Sequence, residues 1–200
     1  MSRLSENLTA GEGRKHPSPS PEFPLEERRV LLRMAHQSIL SAFAEQVPPE
    51  APPFPRLSEP RGAFTTLYLR GSLRGCVGYA MPVAPLYQAV AETARAAAFE
   101  DSRFLPVTQE EARQLEISLS ILSRLSPIRA EEVEVGRHGL VVARGSRRGL
   151  LLPQVPVEYG WDRETFLEQT CRKAGLSSAA WRKDATLEAF TAEVFGDHEV

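Results

Sequence analysis

The sequence predicts an α+β fold, a mainly antiparallel sheet flanked by helices, on three observations. Segments with strand alternation and segments with helical periodicity are mixed, without the regular strand–helix–strand rhythm that builds a doubly wound parallel sheet. Hairpin signals dominate the connections. The chain has 200 residues, 42% hydrophobic and 25% charged, enough to bury a full core as one domain or two interlocked subdomains without metals or crosslinks.

Residues 1–24 are polar and carry Pro17, Pro19, Pro21 and Pro24, so they offer little to bury and read as a flexible tail. From Leu25 to about Gln46 the apolar residues Val30, Leu31, Met34, Ala35, Ile39, Leu40 and Phe43 recur at helical spacing. Glu26 and Glu27 suit the positive end of that helix. The prolines from Pro48 to Pro60 lack the amide protons that helix or central strand would need, so a loop follows.

Gly62 to Arg70 alternates Thr with aromatic and aliphatic residues, Gly71-Ser72 supplies a turn, and Leu73 to Tyr79 returns as the second strand of a hairpin carrying Cys76. Pro82 and Pro85 precede an Ala-rich helix, Leu86 to Phe99, whose face Leu86, Ala89, Val90, Thr93, Ala94 and Ala97 permits close packing on a sheet. Thr108 and Glu111 have capping-box spacing and start a short helix. After it, Leu115, Ile117, Leu119 and Ile121 alternate with Glu116, Ser118 and Ser120 as a half-buried strand. Further strands are expected at Leu140–Ala143, Leu150–Leu152 and Leu187–Phe195, with a helix from Asp162 to Ala174 closed by Gly175.

Composition excludes some functions. The net charge of −2 gives no general attraction to phosphate backbones or anionic lipid, so neither nucleic acid nor membrane is an expected partner. No window approaches the roughly 20 apolar residues of a membrane span, and no leader pattern opens the chain, which places the expectation in the cytoplasm. Cys76 and Cys171 lack the paired spacing of a zinc or iron–sulfur site, so no metal and no cofactor is expected, and two reduced thiols are.

The segment Arg74-Gly75-Cys76-Val77-Gly78 brackets a thiol with glycines that let other groups approach the backbone, and Arg74 can favour a thiolate or hold an anion. The competing reading is a structural cysteine in a hairpin whose glycines serve a bulge. Asp101-Ser102-Arg103-Phe104 follows the Ala-rich helix where a short loop can bring a carboxylate and a guanidinium back to Cys76; its competitor is a helix-terminal ion pair over a core Phe. His16, His36, His138 and His198 form no local dyad with a cysteine. The run Arg144 to Gly149 lacks the ending of a phosphate-binding loop and reads as a hairpin turn. Glu158 and Trp161, between a strand and a helix, are secondary binding candidates.

Leu-Arg-Gly-Cys-Val-Gly (73–78), Asp-Ser-Arg-Phe (101–104), Leu-Glu-Ile-Ser-Leu-Ser-Ile-Leu (115–122), Leu-Leu-Pro-Gln-Val (151–155) and Tyr-Gly-Trp-Asp (159–162) together resemble the AMMECR domain family, protein A of the AmmeMemoRadiSam system. The resemblance runs over residues 25–196. It implies two α+β subdomains, a larger one with an antiparallel sheet and flanking helices and a smaller one formed by an inserted segment. It carries Arg74, Gly75, Cys76 and Gly78 over as the signature, with Asp101, Arg103 and Phe104 as a second motif. Many members have a small hydroxyl residue where this chain has Tyr79. The resemblance also implies a Memo-like protein and a radical SAM protein as partners, and the expectation that goes with it is a cleft at Cys76 that binds or modifies a small molecule or a partner's product. In a covalent role for Cys76, Arg74 or Arg103 would stabilise the thiolate or an anion and Asp101 would orient the arginine. The alternative is a noncatalytic interaction or regulatory module.

Overall fold

In a computed structural model the chain is described over residues 21–44 and 50–200. The tail expected over residues 1–24 lies outside the described residues as far as residue 20, and packing begins earlier than Leu25. Phe23 is 1% exposed within the main core, and the Glu22 and Phe23 amides donate to the Glu193 carboxylate at 2.6 and 3.3 Å. A lone aromatic among prolines carries no periodicity, so nothing in the sequence announces this anchor.

Helix α1 spans Leu25–Leu40 and tightens into a 3-10 turn, Ser41–Phe43. The expected end near Gln46 is therefore too late: the Ser41 hydroxyl donates to the Ser38 carbonyl at 2.8 Å, the local side-chain bonding that competes with helix continuation. Strands β1 (Ala63–Leu69) and β2 (Ser72–Tyr79) form the expected hairpin. Its turn is Arg70-Gly71 rather than Gly71-Ser72, with φ of 52° and 76°. Both values are left-handed, as a two-residue hairpin turn requires to match strand twist.

Helix α2 (Leu86–Phe99) has the predicted bounds and buries the predicted face. Helix α3 (Gln109–Ala112) has the Thr108–Glu111 capping box, and β3 (Leu115–Leu122) alternates as expected. Strands β4 (Ser126–Pro127), β5 (Gly139–Arg144) and β6 (Arg147–Leu151) follow. Helix α4 (Gln154–Glu158) was not foreseen, because its prolines at 153 and 156 sit at and just inside the first turn, where a missing amide costs little. Helix α5 (Arg163–Lys173) has Asp162 as its N-cap and Gly175 at φ 69° beyond its end.

The single strand expected over Leu187–Phe195 is two, β7 (Thr186–Phe190) and β8 (Ala192–Gly196), in different sheets. Thr191 makes the break. Its carbonyl accepts from the Ser123 amide at 2.8 Å and its amide donates to the Ser123 hydroxyl at 3.0 Å. Ser123 and Thr191 are thus the paired crossings by which the chain leaves one sheet and re-enters it.

Two antiparallel four-stranded sheets result, in orders β2-β1-β3-β8 and β4-β7-β5-β6, an α+β architecture with residues 126–190 as an inserted unit. In the first sheet one face is sealed by α2. Thr65 and Thr93 share a buried hydroxyl bond at 2.8 Å, and α1 packs beside α2 and over β3, with the Ser38 hydroxyl on the Ala91 carbonyl at 2.6 Å. Among the described residues no helix covers the other face. Its end carries Phe64 and Leu122, which pack with Val141, Leu150 and Phe190 of the inserted unit.

Candidate functional site

The site is built on the hairpin. In a strand, alternate side chains face opposite ways, so Gly75 and Val77 turn towards α2 while Thr66, Cys76 and Ser118 form a row across the helix-free face. Each of these three is half-buried. The signature glycines serve close approach, one on each face. A Cβ on Gly75 would meet the Ala97 carbonyl oxygen of α2 at 2.1 Å, and one on Gly78 would meet the Phe64 ring at 2.2 Å. Helix and aromatic ring therefore lie directly on the strand that carries the thiol.

A bulge sets what faces Cys76. Leu67 pairs with Gly75 while Tyr68 pairs with Leu73, leaving Arg74 as the extra residue of β2. Unbulged, the hairpin would set Thr66 opposite Gly75; the extra residue brings Thr66 to Cys76. The Thr66 hydroxyl then donates to Sγ of Cys76 at 3.4 Å. Sequence reasoning missed Thr66 because nothing in the segment announces the bulge.

β2 is an edge strand, and its free side at Cys76 is clamped by the loop after α2. The Cys76 amide donates to Oδ2 of Asp101 at 2.9 Å, and Nη2 of Arg103 donates to the Cys76 carbonyl at 3.4 Å. Asp101 and Arg103 bond each other at 2.9 Å (Nε to Oδ1) and 2.7 Å (Nη2 to Oδ2). Carboxylate and guanidinium thus take the two backbone groups that a neighbouring strand would otherwise take. The Arg103 guanidinium, and next the Cys76 amide, hold the Asp101 carboxyl well below the usual carboxylate range; Asp101 in turn raises the Arg103 pKa. An ionised carboxylate with its oxygens engaged is a positioning group rather than a proton carrier. Phe104 lies half-buried under the Arg103 guanidinium, 5.5 Å from its ring centre.

Arg74 is engaged elsewhere. It donates to Glu111 at 3.2 and 3.1 Å and to the carbonyls of Leu105 and Pro106 at 2.8 and 3.4 Å. The sequence announces Glu111 only as a helix cap. It does cap, accepting from the Thr108 amide at 2.9 Å, and it also neutralises Arg74. The Arg74 charge is thus paired with Glu111.

The remaining candidates sit apart. Glu158 is exposed at the end of α4, and Trp161 stacks on Tyr159 with ring centres 5.0 Å apart while packing on the core of the inserted unit. His36 bonds Asp197, His138 accepts from the Glu134 amide, and His198 bonds Glu116, so none of the three faces Cys76; His16 lies outside the described residues. Both cysteines are free. Burial pushes the Cys171 thiol up, and its residue is fully enclosed. Among the described residues no helix is long and apolar enough to cross a membrane.

Comparison with known proteins gives the family and the fold. The AMMECR1 family model matches residues 32–195. Protein MK0488 of Methanopyrus kandleri is 41% identical over 190 residues, covering 89% of this chain and 92% of its own. A protein of Aquifex aeolicus is 38% identical over 182 residues, covering 86% and 93%. The crystal structure of the uncharacterized protein PH0010 from Pyrococcus horikoshii superposes with a TM-score of 0.63 at 41% identity, over 84% of this chain and 90% of that one.

Proposed function

The chain belongs to the AMMECR1 family, and from that membership we propose that it is the AMMECR-domain component of the AmmeMemoRadiSam system, acting in the cytoplasm with a Memo-like protein and a radical SAM protein. On this reading the helix-free face around Cys76 receives a small molecule or a product of the partners. One observation carries the proposal: the backbone of Cys76 is fixed on its free edge by Asp101 and Arg103, while the residue stands half-buried on a face that no helix covers among the described residues. The clamp acts on the backbone of the edge strand, and the side chain it carries keeps a set position on that open face, as a thiol that must meet a ligand requires.

Within this site Cys76 is the reacting group, Thr66 its hydrogen-bond donor, and Asp101 with Arg103 the positioning pair. The test is the rate of iodoacetamide labelling of each cysteine in the native protein, read by mass spectrometry. Cys76 is expected to label in the folded state and Cys171 only on unfolding. Equal, unfolding-limited labelling of both would remove the thiol from the function. A second reading, a noncatalytic interaction module, is favoured by the spent charge of Arg74 and the absence of a histidine facing the thiol among the described residues. Under it Cys76→Ser keeps full binding of the partner proteins in a pull-down.

A further inference from the structure

At the far end of the same helix-free face, where the two sheets meet, lies a cavity of about 330 Å³. Pro60, Ala80, Pro82, Leu122, Leu125 and Phe190 give it an apolar wall, and Arg61 and Arg124 complete the lining. Small-molecule sites favour such junctions: mostly apolar, a few hundred Å³, with a few polar groups that converge. The cavity is separate from the thiol. Cys76 and Ala80 are four residues apart along the β2 direction, about 13 Å at 3.3 Å per residue, and the Phe64 ring lies over Gly78 between them.

Arg61 is only 4% exposed. Its Nη2 is shared by Glu22 at 2.6 Å and Glu59 at 3.3 Å, its Nη1 reaches the Leu122 carbonyl at 3.4 Å, and its Nε has no partner among the described residues. Arg124, 69% exposed in its side chain, reaches the other oxygen of Glu59 at 2.8 Å. Glu59 therefore already sets one carboxylate between the two guanidiniums, which depress its pKa, Arg124 foremost. Two guanidiniums offer ten N–H donors in all, far more than these acceptors use. Glu59 itself is about one-third exposed and free to turn to water.

We propose that this junction binds a small apolar carboxylate, whose body fills the cavity and whose carboxylate takes the place of Glu59 between Arg61 and Arg124. Charge stays balanced in the exchange, because one carboxylate replaces another at the buried guanidinium while the displaced one is hydrated.

The test is calorimetric titration of the full chain with 2-naphthoate and, in parallel, with its uncharged counterpart 2-naphthamide. Naphthoate is expected to bind one to one and the amide roughly ten-fold more weakly, as for the loss of a charged hydrogen-bond partner. Arg124→Met, at a solvated position that leaves both cores intact, should weaken naphthoate by a similar factor and leave the amide unchanged. Glu59→Gln removes the competing charge and should tighten naphthoate. Ala80→Phe fills the cavity and should abolish both. Cys76→Ala should change nothing, which keeps the result distinct from that of the thiol site. The proposal is overturned by no naphthoate binding at millimolar concentration, by equal binding of acid and amide, by weaker binding in Glu59→Gln, or by undiminished binding in Ala80→Phe.

Discussion

At Glu111 one carboxylate serves two structures at once, capping α3 through the Thr108 amide and holding Arg74 in the bulge of β2. The Arg74 guanidinium, then the Thr108 amide, depress its pKa from the ordinary 4.5 to about 2. A carboxyl whose folded pKa is lowered contributes stability that is fully present above its unfolded value and is lost as pH falls through the folded one. Its contribution should therefore fade from about pH 4.5 towards about pH 2. Glu111→Gln should cost roughly 0.5–1 kcal/mol at neutral pH, the scale of a solvent-screened pair, and should flatten the urea midpoint across that acid window. A variant with the wild-type slope there would place the acid sensitivity elsewhere. The sequence made the cap legible, since Thr and Glu three apart state it locally. The ion pair was not legible, because Arg74 lies 37 residues away and only the fold brings it back.

At the scale of elements, the β1–β2 hairpin holds Arg70 as the one non-glycine residue with positive φ among the described residues. An L residue with a long side chain is strained there, whereas Asn adopts this conformation readily and Asn-Gly suits a two-residue turn. Arg70→Asn is therefore expected to raise stability by about 0.5 kcal/mol, after the loss of the exposed Arg70–Gln114 contact. A urea midpoint that falls instead would mean that this contact outweighs the backbone. Alternation and glycine content announced both strands, and the Ala-rich face announced α2 with its bounds. They did not announce the turn position or the bulge at Arg74, since each shifts pairing by one residue and leaves the apolar pattern intact. The bulge decides whether Cys76 meets a hydroxyl. The site was thus legible in its residues and hidden in its register. Asp101 and Arg103 were expected near Cys76 and are there, bonded to its backbone rather than to its sulfur.

Among the described residues the first sheet and the inserted unit keep separate apolar clusters. Phe23, Leu31, Leu67, Val90 and Ile117 belong to the first sheet's, Leu140, Phe166 and Leu167 to one of the inserted unit's, and Phe190 with Leu122 and Val141 forms a separate cluster where the two units meet. Phe190 also lies over Gly139, where a Cβ would meet its ring at 2.2 Å, so β5, β7 and the junction lock on one side chain. Both tryptophans, Trp161 and Trp181, pack in the inserted unit, so their fluorescence reports that unit alone while far-ultraviolet circular dichroism reports both. In the wild-type protein, the paired crossings at Ser123 and Thr191 and the Phe190 bridge should make the two signals unfold together in urea. Phe190→Ala should cost about 3–5 kcal/mol, and the loss should fall on the coupling. Fluorescence is then expected to change at lower urea than circular dichroism, as the inserted unit unfolds ahead of the helix-covered sheet. If the two transitions stay coincident in Phe190→Ala, the units are held together by the chain crossings, and the junction cavity lies in a rigid seam rather than a yielding one.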